Sequence, residues 1–231
     1  MENFLKPTPA IDSDNPLIIE KAKSLVEKHE KESKKAIKLF YFVRDEIKYN
    51  AYIPYHLFDY HIASKTLKRG EGYCVSKAIL LAALSRAIRI PARLRFADIR
   101  NYLLPEKYKK LIGGNILVYH GYTELYIEGK WIKLTPAFDL ELCKKYNIKP
   151  VEFDGENDAV LHRYTLDGKL HIEYLRDHGY FSDLPFEEML KARIQVYGPD
   201  YIERREKFYK SINIKNDGNA KKMEMAWRET T

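Results

Sequence analysis

Two cysteines in 231 residues, Cys74 and Cys143, are too few for a disulfide framework, and no Cys-x-x-Cys spacing exists to seed a metal cluster. That scarcity points to a reducing, cytoplasmic setting and to no metal or cofactor. No apolar run reaches membrane-spanning length, and the start Met1-Glu2-Asn3-Phe4-Leu5-Lys6-Pro7 lacks the basic segment and apolar core of an export signal. No membrane association is expected. Internal repeats are missing too, and Gln195 is the one glutamine in the chain. The formal charge of +7 is the exception to this plainness, but its lysines and arginines are interleaved with Asp and Glu. It reads as a solvated surface, with Arg204 to Lys222 as the one basic stretch where nucleic acid could bind.

What is present is the composition of a soluble globular protein, 45% hydrophobic and 32% charged, long enough to bury a substantial core. The stretch that stands out is Arg69-Gly70-Glu71-Gly72-Tyr73-Cys74-Val75-Ser76-Lys77-Ala78, which runs on through Ile79-Leu80-Leu81-Ala82-Ala83-Leu84 to Ile88. Two glycines mark a loop, and the helix-favouring run behind them predicts that Cys74 occupies the first turn of a helix with no polar face. Unpaired N–H groups and the positive end of the dipole stabilise a thiolate at such a position, and the thiolate is the reactive form. Taken alone, a cysteine beside an apolar run is an inert small hydrophobe more often than a nucleophile. A nucleophile needs a base, and the base an orienting group, which can lie far along the chain.

Those partners are sought in Asn115 to Ile127 and Lys130 to Leu134, which read as a hairpin around Glu128-Gly129. A two-residue loop sets Ile127 opposite Lys130, Tyr126 opposite Trp131, Leu125 opposite Ile132, Glu124 opposite Lys133 and Tyr122 opposite Thr135. Cross-strand agreement of aromatics, aliphatics and opposite charges supports that register. Extended further, it sets His120 opposite Ala137, with Thr135 and Asp139 as diagonal neighbours. Asp139 is the better partner for an imidazole, since a carboxylate stabilises the imidazolium; Thr135 is the alternative third member, and Pro136 between them can bend the strand.

Elsewhere the pattern predicts a helix from about Leu17 to His29 and a second over Ala36 to Ile47. An aromatic loop from Tyr49 to Tyr60 is expected near the site, then a strand from Ala92 to Asp98 and a loop with a short helix over Asn101 to Gly114. Leu140 to Tyr146 reads as a short helix with Cys143 as a packing residue. A second hairpin is expected from Val160–Thr165 and Lys169–Leu175, with His162 and His171 at the surface or paired across strands. Helices follow from Pro185 to Val196 and from Pro199 to Phe208. Residues 1–35 are read as an N-terminal helical extension, 36–140 as the core, 141–212 as a C-terminal extension and 213–231 as a polar tail.

These motifs resemble the transglutaminase-like superfamily, relatives of papain-type cysteine enzymes. The carrying residues are Gly72-Tyr73-Cys74 with its buried helix, Arg86-Ala87-Ile88-Arg89-Ile90-Pro91-Ala92-Arg93, His120-Gly121-Tyr122-Thr123-Glu124-Leu125-Tyr126 and Trp131-Ile132-Lys133-Leu134-Thr135-Pro136. Phe42 to Tyr49 is similar to the helix that precedes the cysteine in that family. The resemblance implies an α+β fold with a central buried helix on an antiparallel sheet, Cys74 as nucleophile and His120 as base and later acid. Thiolate would attack an amide carbonyl, with peptidase-like or amidase-like hydrolysis ahead of crosslinking, on a protein or peptide substrate. The family usually has Asp where this chain has Thr135, and no glutamine precedes Cys74 to serve as a papain-type oxyanion donor. A non-catalytic peptide-binding module on the same fold is the alternative.

Overall fold

A computed structural model describes residues 1–214 of the chain. In order, α1 (Pro16–Leu25) and α2 (Glu32–Tyr41) lead into β1 (Lys48–Tyr49), α3 (Ala63–Arg69), β2 (Glu71–Gly72) and the central α4 (Cys74–Ala87). Then come β3 (Ala92–Asn101), α5 (Glu106–Ile112), the hairpin β4 (Ile116–Ile127) and β5 (Lys130–Leu134), and α6 (Leu140–Lys145). The chain closes with β6 (Ile172–Phe181), α7 (Phe186–Tyr197) and α8 (Tyr201–Ile214). The main sheet is antiparallel in the order β5-β4-β3-β6, and α4 packs on β4 and β3 with α1, α2 and α3 against its other sides. This is an α+β architecture with the core helix laid on an antiparallel sheet.

Every residue of α4 from Cys74 to Arg86 is buried, including four with hydrogen-bonding side chains, Ser76, Lys77, Ser85 and Arg86. A helix without a polar face must satisfy such groups internally, because an unpaired one costs about 1–3 kcal/mol. Lys77 Nζ donates to the carbonyls of Ile47 at 2.6 Å and Arg44 at 3.0 Å, at the end of the π-helical turn Phe42–Glu46 that follows α2. Arg86 donates to the carbonyls of Ala92, Lys6 and Ser182, tying the far end of α4 to the sheet and to both flanking segments. Ser85 Oγ turns back to the Leu81 carbonyl at 2.7 Å. The helix is thereby fixed at both ends.

The hairpin register is the one the side-chain pattern predicts, from Ile127↔Lys130 through Glu124↔Lys133. Glu128 and Gly129 have φ of 49° and 88°, the pair of positive values that a two-residue type I′ turn requires. Two details differ. Glu124 does not reach for Lys133: its carboxylate is buried and pairs with Arg93 at 2.5 Å and Arg95 at 3.2 Å on β3. The ladder also stops at Leu134. Thr135 N–H bonds instead to the Ala159 carbonyl at 2.8 Å, so the Tyr122–Thr135 and His120–Ala137 pairs expected from extending the register do not form. Pro136, which has no N–H to give a ladder, follows at once.

The expected second hairpin is a correction. Its first limb contributes one isolated bridge, Tyr164↔Leu170, while the second continues past Leu175 into β6, which pairs along the free edge of β3. The alternation of β6 is weak because most of it faces outward, so its extent was hidden. His171 is buried, and of the two placements expected for it the cross-strand one holds, its N–H bonding to the Arg163 carbonyl at 2.8 Å. The tail beyond residue 214 lies outside the described residues.

Candidate active site

Cys74 is the first residue of α4, as the loop-to-helix pattern requires, and Ser76 Oγ accepts the Tyr73 N–H at 3.0 Å to fix the turn. The sulfur is almost closed off from solvent, and burial pushes its thiol up. Acting against this are the backbone N–H groups of Gly121, Val75 and Cys74 itself, which donate toward it, and the nearby Arg193 guanidinium. The Gly121 contribution depends on a very close approach of β4 to α4. A Cβ at Gly121 would lie 2.9 Å from Val75 Cγ2, 3.2 Å from Val75 Cα and 3.1 Å from Phe96 Cε1. No other residue fits there without parting strand from helix.

His120 precedes that glycine on β4. The strand carries a bulge immediately before it: Ala97 pairs with His120 but Ile99 with Leu117, so Val118 and Tyr119 together face Asp98, and Tyr119 takes φ of 57°. Asp98 holds the bulge, accepting the Tyr119 N–H at 3.0 Å and His178 Nε2 at 2.8 Å, and the Tyr119 ring stacks on His178 at 4.0 Å. Bulges reset the in-out alternation of a strand and are used to aim side chains. The His120 ring lies 6.2 Å from those of Tyr122 and Tyr174, and its Nε2 is buried with no hydrogen-bond partner. Burial alone, with no charged neighbour contributing, lowers its pKa to about 3.

Cys74 and His120 line one cavity of about 20 Å³, room for a single water-sized group, together with Tyr49, Tyr55, Tyr73 and Arg193 among others. No hydrogen bond joins the sulfur and Nε2. Asp139 and Thr135 are not part of that lining. Asp139 is the N-cap of α6, accepting the Leu142 N–H through Oδ1 at 2.9 Å and the Tyr49 N–H through Oδ2 at 3.0 Å. It braces a wall of the cavity from behind. The Thr135 hydroxyl is buried and makes no well-formed hydrogen bond.

The family model of the transglutaminase-like superfamily matches residues 19–136, half of the chain. The chain belongs to the transglutaminase-like superfamily. Two solved structures align with part of the chain. A candidate cysteine protease from Cytophaga hutchinsonii is 25% identical with a TM-score of 0.44, the alignment covering 58% of this chain and 40% of that one. A candidate protease from Parabacteroides distasonis is 16% identical with a TM-score of 0.39, covering 58% and 25%. The aligned part is thus well under half of each of those proteins. Among curated proteins there is no match.

The matched region ends before the residues that complete the cavity of this superfamily member. Arg193 and Tyr197 come from α7, where Met189, Arg193 and Tyr197 form one buried stripe at four-residue spacing. Arg193 donates through Nε to the Val118 carbonyl at 3.3 Å, and Tyr197 accepts the Val118 N–H at 2.7 Å and donates to the Ile116 carbonyl at 3.1 Å. The two residues therefore clamp the strand at the bulge. Sequence reasoning left them out because α7 resembles no motif; the readable signal was an arginine inside an otherwise core-facing stripe.

Proposed function

We propose that this chain is a cysteine-dependent enzyme acting on amide carbonyls, with Cys74 as nucleophile and His120 as the group that takes and returns the proton. The observation that carries this reading is the shared cavity: a first-turn thiol with three backbone N–H groups turned toward it, and an imidazole whose Nε2 is buried without a partner. Both groups are held neutral by burial, as thiol and imidazole.

When substrate opens the cavity, the Cys74 proton passes to His120 and the sulfur bonds to the carbonyl carbon, whose π electrons move to oxygen. Imidazolium then gives its proton to the leaving nitrogen as the carbon–nitrogen bond breaks, leaving a thioester. His120 next takes a proton from water, hydroxide adds to the thioester, and the thiol leaves with the proton restored. Hydrolysis is favoured over crosslinking because the Arg193 guanidinium in the same cavity repels the ammonium form in which a lysine would arrive, before it could lose a proton and attack as an amine. Asp139 enters as support for the Tyr49 wall.

Alkylation of Cys74 followed against pH, with the modified peptide identified by mass, tests the pairing. Wild type is expected to show an apparent thiol pKa at least one unit below that of His120→Ala; equal, ordinary values in the two proteins would sink the paired site. The closed cavity favours one other reading, a peptide-binding module without chemistry. That reading expects Cys74→Ser to leave peptide capture unchanged and no amide bond to be cut by wild type.

A further inference from the structure

The surroundings of the Cys74 cavity carry an electrostatic imbalance. Arg193 and Arg205 are both buried, and among the described residues neither has a carboxylate partner. Arg193 makes two long hydrogen bonds, to the Val118 carbonyl at 3.3 Å and the Tyr73 hydroxyl at 3.5 Å, and otherwise lies over the rings of Tyr55 at 4.8 Å and Tyr73 at 5.7 Å. Arg205 donates through Nη2 to the carbonyls of Ile53 and Ala51, stacks 3.9 Å from the Tyr55 centroid, and leaves Nε and Nη1 buried with no acceptor. Around them stand neutral hydroxyls: Tyr201 donates to Tyr55 at 2.7 Å, and Tyr55 and Tyr108 meet at 3.2 Å.

Two guanidiniums close enough to repel each other, with tyrosines and carbonyls but, among the described residues, no carboxylate between them, make a cationic pocket. Buried charges in folded proteins are paired, and a planar guanidinium is matched by the two oxygens of a carboxylate. Arg193 lines the cavity that holds Cys74, so an anion bound to it there would share that cavity with the reacting carbonyl. We propose that this end of the cavity is a carboxylate-binding subsite built on Arg193, with Arg205 behind it, and that the substrates of the Cys74 site carry a free carboxylate beside the amide that is attacked. The proposal rests on Cys74 being the reacting group and adds the substrate class.

Iodoacetate and iodoacetamide test it on the full chain, because they differ by a carboxylate against a neutral amide next to the same reacting carbon. With Cys74 modification read by peptide mass, the iodoacetate-to-iodoacetamide rate ratio, normalised to that of a free cysteine thiol, is expected to exceed one by about tenfold. It should return to about one in Arg193→Gln and stay intermediate in Arg193→Lys. Wild type alone supplies a second reading that no variant can spoil: glutarate, but not glutaramide at matched ionic strength, should slow iodoacetamide at Cys74 and raise the melting temperature. A normalised ratio of one with no glutarate protection overturns the subsite; so does failure of either reagent to reach Cys74 together with a melting temperature indifferent to glutarate. His120→Ala separates this from the catalytic reading. Equal thiol pKa values in wild type and His120→Ala with the carboxylate preference kept remove the catalysis and keep the subsite, whereas a pKa difference without a carboxylate preference removes the subsite alone.

Discussion

The two cysteines are both buried and both pushed upward by that burial, yet the fold treats them in opposite ways. Cys74 begins α4, where three backbone N–H groups and the Arg193 guanidinium work against desolvation. Cys143 lies within α6, donates weakly to the Phe138 carbonyl at 3.9 Å, and has the Asp139 carboxylate adding to desolvation, so that its thiol is pushed up to about 12. The same atom, buried in both places, is thus steered by what the backbone and nearby charges aim at it. Activation is a matter of dipole direction and neighbouring charge more than of exposure.

The widest separation should come from deleting each sulfur. Cys74→Ala is expected to reduce cleavage of a carboxylate-bearing peptide amide at least a thousandfold, with the fold kept, since removing a nucleophile leaves the site's binding alone. Cys143→Ala should leave the rate within about twofold and cost about 1 kcal/mol of stability through the small void it leaves. Rate measurements beside urea titrations of the two variants read both numbers; comparable rate losses would erase the distinction.

Acid should break the comparison from the other side. His120 and His61, near Cys74, have their pKa lowered to about 3, and His171, packed 5.9 Å from the Phe138 ring near Cys143, to about 4, in each case chiefly by burial. His61 Nε2 is hydrogen-bonded to the Tyr73 hydroxyl at 2.7 Å, beside the Cys74 turn. Because the unfolded chain binds these protons near pH 6.5 and the folded chain does not, their contribution is fully present above pH 6.5 and is lost as pH falls toward 3. Three such groups give a slope of up to about 4 kcal/mol per pH unit between pH 6 and pH 4. Urea midpoints measured across that range should fall steeply, and a flat profile would mean that the histidines are protonated in the native state. With two of the three near Cys74, that thiol should open to alkylation at a higher pH than Cys143.

The parts of this arrangement that local pattern carries were legible beforehand, and those that depend on distant packing were not. Gly72-Tyr73-Cys74 with an unbroken apolar run behind it specifies a first-turn thiol on a buried helix, and Glu128-Gly129 specifies the hairpin register, because each is settled by its own few residues. The departure of Thr135 from the ladder depends on Ala159, twenty-four positions on, and no pattern within the hairpin announces it. The bulge that aims His120 is set by Asp98 on a neighbouring strand together with His178 on β6, a strand whose length was itself masked by its outward face. Arg193 reaches the cavity from a helix outside the family's matched region. Charge and position in these cases come from three-dimensional neighbours.

A smaller effect should follow from closing the gap between strand and helix. In Gly121→Ala the new methyl meets Val75 and Phe96 at about 3 Å, so β4 must move away from the first turn of α4. Overpacking of this kind costs about 1–3 kcal/mol, and the shift draws the Gly121 N–H away from the sulfur. The Cys74 thiol pKa should rise relative to wild type while that of Cys143 stays where it is. An unchanged Cys74 profile would show that this N–H contributes nothing to the thiol.

The finest contrast is the carboxylate that the two sulfurs experience differently. Asp139→Asn keeps a good helix cap for α6, so stability should fall by no more than a few tenths of a kcal/mol, against about 1 kcal/mol for Asp139→Ala. Removing the charge takes away one of the causes that raise the Cys143 thiol, whose apparent pKa in the native state should therefore fall. The Cys74 alkylation profile should be unaltered, because His120 takes no charge contribution from Asp139 and both Asp139 oxygens are engaged by Leu142 and Tyr49. A tenfold or greater loss of Cys74 reactivity in Asp139→Asn, with its cap intact, would instead make Asp139 the group that orients His120 and would require the Tyr49 contact to exchange for the imidazole once substrate is bound.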